Sequence, residues 1–102
     1  MELHITFRQM KSSDAVKTYV EEKLQKLDKY KDKATDAHVI LSVESYRHVA
    51  EINFSAKQFQ STGKSETEDM YKSIDEALAL VEKQLKKHHA KKTKAKVHPA
   101  AL

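Results

Sequence analysis

The chain of 102 residues contains no cysteine, which removes disulfides, thiol catalysis and thiolate metal sites from consideration. It has one glycine and one proline, a composition that does not build long disordered linkers. Long hydrophobic runs are missing as well. The longest, ALALV at Ala77–Val81, falls far short of the ~20 apolar residues that cross a bilayer. The opening MELHITF has neither the basic start nor the apolar stretch of a signal peptide. What remains is a single domain with one modest core, expected in the cytoplasm and with no membrane among its partners.

Acidic residues are missing where lysines are densest. Net charge is +4, but residues 1–68 hold eleven Lys/Arg against eleven Asp/Glu and so cancel. Residues 69–102 hold eight lysines and four acids, and between Lys83 and Lys96 stand seven lysines with no acid. A localised basic patch is the electrostatic footprint of a polyanion-binding surface. A solvated helix end explains it almost as well from charge alone. The same helix opens on Glu66, Glu68 and Asp69, and acids early with bases late stabilise any helix through its dipole.

The periodicity predicts six elements. In LHITF, Leu3, Ile5 and Phe7 alternate with polar residues and mark a half-buried strand. Ser13 is placed to cap a helix with Asp14 in its first turn; Val16, Val20, Leu24 and Leu27 carry that helix to about Tyr30. Val39, Leu41 and Val43 define a second strand, and Ala50, Ile52, Phe54 and Ala56 a third, joined by a short hairpin. FQSTGKSE, from Phe59, reads as an edge strand with Gly63 marking a bulge. The last helix runs from about Asp69 to His88 on a stripe of Met70, Ile74, Ala77, Leu78, Val81 and Leu85. Ser65 with Glu68 has capping-box spacing, and Asp69 is an equally good cap. The order β-α-β-β-β-α predicts an α+β domain over residues 1–89: a four-stranded sheet with two helices packed on one face. Residues 90–102 form a short basic tail, expected to be mobile.

Catalytic chemistry finds no support. GKS at Gly63–Ser65 lacks the earlier glycine of a P-loop, since position 58 is Gln58, and acids follow it. His88 and His89 are adjacent and diverge by about 100° on a helix, while His4 and His38 on neighbouring strands make only a pair. No nucleophile with a base is visible. The chain is expected to be no enzyme and to carry no metal or cofactor.

The lysines are placed more tellingly. Projected at 100° per residue, Lys72, Lys83, Lys86 and Lys87 occupy the face of the last helix opposite its apolar stripe, with Lys91 continuing the edge. Lys23, Lys26 and Lys29 share the Tyr19 flank of the first helix, with Glu22 spaced to pair with Lys26. Helices side by side on one sheet face would present two lysine ridges as one continuous basic surface with a groove between. Such a surface suits a phosphate backbone followed by shape.

These residues resemble a known family. YVEEKLQKLDKY, VILSVE and above all EDMYKSID followed by EKQLKKH are similar to the ribosome hibernation promoting factor and ribosome-associated inhibitor A (protein Y) family, over about residues 1–89. The resemblance implies a fold like a double-stranded-RNA-binding domain with an added first strand. It implies binding to the small ribosomal subunit between head and body, in the mRNA and tRNA channel, silencing idle ribosomes. It also implies ribosomal RNA contacts by Lys23, Lys26, Lys83, Lys86 and Lys87, which Lys91 extends. At the matching positions Asp69 reads as a helix cap, Met70 as core, and Tyr71 as a flank aromatic able to stack on a base. Leu80 stands where members of that family often carry a lysine. The chain is expected to be a short-form member, monomeric when free. Its basic tail favours the hibernation-promoting branch, in which a helper factor assists ribosome pairing.

Two other readings compete. A general double-stranded-RNA-binding module would carry lysines where Glu68 and Asp69 stand. A protein-interaction domain would use a sheet edge or the Leu80 region. A regulator acting through a sigma factor has no support in these residues.

Overall fold

The computed structural model describes residues 2–30, 35–56 and 59–101, with side chains described outside 28–30 and 89–101. Strand β1 (Glu2–Arg8) leads to helix α1 (Asp14–Leu24) and a 3-10 segment (Gln25–Tyr30); β2 (Asp36–Glu44), β3 (Arg47–Ala56), β4 (Phe59–Thr67) and α2 (Met70–Ala101) follow. The sheet order is β1-β2-β3-β4. β1 runs parallel to β2 because α1 carries the chain across between them. β2, β3 and β4 are antiparallel neighbours. The two-residue turn between Glu44 and Arg47 places Ser45 at φ 57°, the positive φ that tight hairpins require.

Alternation along the strands decides which sheet face is covered. Ala37, Val39, Leu41, Ala50, Ile52 and Phe54 are all buried, and Glu51, Asn53 and Thr62 point to the other side. Val16, Val20, Leu24 and Leu27 join Met70, Ile74, Ala77, Leu78, Val81 and Leu85 over that apolar face in a single core. Burying each large side chain contributes about 1.5–3 kcal/mol, so the helices are fixed on the face the strand pattern exposes to them.

Three local features differ from the sequence-based expectation. Helix α1 stops at Leu24, and the next six residues tighten into a 3-10 turn that still buries Leu27. Helix α2 continues to Ala101 rather than ending near His88; alanine and lysine, which dominate the added stretch, are strong helix formers. Gly63 marks no bulge: the β3–β4 register passes through it unbroken, with Ile52 opposite. A Cβ on Gly63 would instead collide with the carbonyl oxygen of Ala77 and crowd the Leu80 Cβ at 3.1 Å. Glycine is there because the backbone of α2 lies directly on β4.

Candidate nucleic-acid interface

The start of α2 is held by a compact hydrogen-bond set. Asp69 Oδ1 accepts the Tyr71 amide at 3.0 Å, and the Asp69 carbonyl accepts the Ser73 amide at 2.9 Å. Asp69 is therefore the residue that caps α2. Ser65 serves elsewhere, donating its hydroxyl to Glu76. Thr67 Oγ1 accepts the Asp69 amide at 3.0 Å. Fully buried Ser73 donates to the His48 carbonyl at 2.7 Å, tying the first turn of α2 to β3.

One aromatic cluster joins the helices. Tyr19 of α1 donates its hydroxyl to Asp75 Oδ1 at 2.6 Å and meets Tyr71 edge-to-face with centroids 4.8 Å apart. The Lys23 ammonium lies 5.3 Å from the Tyr19 ring centroid, within cation–π reach. The Tyr19 pKa is raised to about 12, first by the hydrogen bond to Asp75, then by burial and by the Asp75 charge. Tyr71 keeps 40% of its surface exposed.

The lysines of α2 stand outward. Lys83, Lys86 and Lys87 are exposed, and their i, i+3 and i, i+4 spacing puts them side by side across one turn. Their repulsion is unrelieved by any ion pair: among the described residues the side-chain pairs are Arg47–Glu66 at 3.5 Å and Glu2–His4 at 3.8 Å. Lys26 is exposed on the 3-10 segment. The expected Glu22–Lys26 pair is not formed, because three residues per turn rotate Lys26 off the i, i+4 line. Lys91 falls on the helical backbone of α2, with its side chain outside the described residues, as is that of Lys29.

The groove between the helices is less uniformly basic than the projection suggests. Asp75 sits at its N-terminal end and turns its carboxylate to the Tyr19 hydroxyl. Half-buried Glu82, two turns on, lies on the same stripe. The basic surface is thus an outward ridge, Lys83–Lys86–Lys87, with Lys23 set across an acid-containing seam. Exposed Leu80 borders the ridge on its β4 side, against Gly63.

Two further arrangements escaped the sequence. Gln84 accepts the Ser61 hydroxyl and donates to the Thr62 carbonyl at 3.2 Å. One turn later His88 stacks on Phe59, with centroids 4.4 Å apart and planes 27° from parallel. The i, i+4 spacing of Gln84 and His88 is visible in the sequence, but that the predicted edge strand lies beneath them is not. On the open sheet face His4 and His38 are register partners with ring centroids 6.4 Å apart. Thr6 Oγ1 lies 2.8 Å from His38 Nε2. Among the described residues no group of three metal-ligating side chains comes together, and no helix is long and apolar enough to cross a membrane.

Comparison with known proteins places this geometry. The ribosome hibernation promoting factor of Azotobacter vinelandii is 33% identical over 91 residues, covering 89% of this chain and 85% of that one. The protein of the same name from Escherichia coli K12 is 31% identical over 98 residues, covering 96% of this chain and all of its own. A ribosome hibernation promotion factor of Deinococcus radiodurans is 36% identical over 85 residues, which make up 44% of its length. Among solved structures, the N-terminal domain of Thermus thermophilus Protein Y superposes with a TM-score of 0.80 at 32% identity, covering 86% of this chain and 99% of that domain. A ribosomal subunit interface protein from Coxiella burnetii shares the fold, with a TM-score of 0.77 at 22% identity. The family model described as Sigma 54 modulation protein / S30EA ribosomal protein matches residues 3–93. With that match across both helices and all four strands, the chain belongs to the Sigma 54 modulation protein / S30EA ribosomal protein family, the family of the ribosome hibernation promoting factors and Protein Y.

Proposed function

We propose that this chain is a ribosome hibernation factor that occupies the mRNA and tRNA channel of the small ribosomal subunit and inhibits translation by idle ribosomes. Support comes from relatives named for ribosome hibernation and from the outward lysine ridge. The observation that carries the site is that ridge: three exposed lysines on one turn of α2, opposite its buried stripe and unpaired with acids. Clustered like charges of this kind weaken a free helix and become favourable once phosphates neutralise them. Lys23 adds a cation from α1, braced against Tyr19, and Lys26 and Lys91 extend the two ends of the surface. Tyr71 offers an exposed ring beside Tyr19 for base stacking. The partner is ribosomal RNA read by backbone shape, which places the protein in the cytoplasm with the ribosome. Promotion of ribosome pairing, with a helper factor, would be a consequence of the silenced state, and the free chain would be monomeric.

The test is competition. Small subunits preloaded with mRNA and tRNA should exclude the chain, and the chain should exclude them in turn. The variant with Lys83, Lys86 and Lys87 all changed to Glu should lose binding while its circular dichroism spectrum stays that of the unsubstituted chain, since none of the three touches the core. Undiminished binding by this variant, or simultaneous binding with mRNA and tRNA, would refute the proposed site.

A further inference from the structure

Beyond the lysine ridge, on the side of α2 that lies along β4, a shallow pocket of about 280 Å³ is lined by Phe59, Gln84, Lys87 and His88. Its walls are prebuilt. Gln84 is held at both ends of its amide by Ser61 and Thr62, so it does not swing into the space. His88 lies one turn further along the same stripe and is braced flat against Phe59. Both rings remain half-buried rather than sealed. Lys87 stands exposed at the rim, next to the rings and part of the ridge.

A planar aromatic surface beside a cation calls for a ligand that is flat, π-faced and anionic on one side. A nucleotide has those properties: its base stacks on a ring while its phosphate meets an ammonium. The volume is at the small end of ligand pockets and matches one unpaired base. Duplex RNA cannot fill it, because its bases are already stacked on one another. An apolar peptide would gain nothing from Lys87.

We propose that the Phe59–His88 ring pair, with Lys87, is a binding site for one unstacked nucleotide of ribosomal RNA, adjoining the phosphate-binding ridge. The inference rests on the reading of that ridge as an RNA-binding surface and adds a base contact to a surface otherwise read by its charges. Stacking requires the ring of His88 and not its charge, so His88→Phe preserves the site and His88→Ala removes it. Lys87 contacts phosphate, so its loss lowers the salt dependence.

The experiment measures the affinity of the full chain for purified small ribosomal subunits across a salt series, for the unsubstituted chain, His88→Phe, His88→Ala and Lys87→Ala. The expected result is near-unchanged binding for His88→Phe and a loss on the order of tenfold for His88→Ala. In His88→Ala the slope of log affinity against log salt should stay the same, because no phosphate contact is lost, whereas Lys87→Ala should lower it by about one. Ultraviolet irradiation of the complex should leave a nucleotide adduct on the peptide bearing Phe59 or His88. Normal binding by His88→Ala would overturn this inference alone. A loss shared equally by His88→Phe would overturn it too, and so would a reduced salt slope in His88→Ala, which would mean that the ridge itself had shifted. Failure of the unsubstituted chain to bind would overturn both this inference and the reading beneath it.

Discussion

Tyr19 shows how much one side chain can join. Its hydroxyl reaches Asp75 across the helix pair, its ring packs on Tyr71, and its face holds Lys23. Tyr19→Phe keeps both ring contacts and removes the hydrogen bond, so unfolding in urea should show a loss of about 1 kcal/mol. The pH dependence has a definite sign. The folded-state pKa of about 12 lies above the ordinary tyrosine value of 10.0, so the stabilisation is complete below pH 10 and is lost as pH rises towards 12. Ultraviolet titration should find Tyr19 ionising late, and Asp75→Asn should return it towards the ordinary value. Gly63 makes an equally local prediction. Gly63→Ala forces α2 away from β4 at the Ala77 carbonyl and should destabilise by about 1–3 kcal/mol, the range of overpacked sites. A midpoint unchanged from the unsubstituted chain would mean that the helix sits further off the sheet than described.

At the scale of elements, what the sequence revealed and what it hid divide along a physical line. Five of the six elements were legible because their apolar residues recur at the period of a helix or a strand, a local property, whereas β4 was read from residues that tolerate a sheet edge. The stripe from Met70 to Leu85 is buried as projected, and Ser13 caps α1 by accepting the Val16 amide at 3.2 Å. Helix ends were less legible. Leu27 satisfies a helical period yet is buried from a 3-10 turn, because both geometries bring that position to the core. Gly63 was misread because its reason lies in another element, the backbone of α2, as the reason for the Phe59–His88 stack lies in how β4 meets the helix. At the other end of α2, the choice between two caps could be made only when Asp69 was seen to accept the Tyr71 amide. Asp69→Ala should cost about 1 kcal/mol, the usual worth of an N-cap, measured by thermal or denaturant unfolding. Ser65→Ala, whose hydroxyl makes no cap, should leave the helix start intact.

For the molecule as a whole, the proposed function rests on charge, and the fold is the frame that holds it. The sheet buries one face under two helices, and the helices turn their lysines outward. The seam between them keeps Asp75 occupied by a tyrosine hydroxyl. Acids cluster near the start of α2 and bases from Lys83 onward, so the polarity that suits the helix dipole also leaves the ridge free of acids. The most direct test is sedimentation of the purified chain with separated small and large ribosomal subunits on sucrose gradients, from low to moderate salt. The account predicts comigration with the small subunit, declining log-linearly as salt rises because each neutralised phosphate releases counterions. Absence of comigration at low salt, or binding that salt does not weaken, would contradict it.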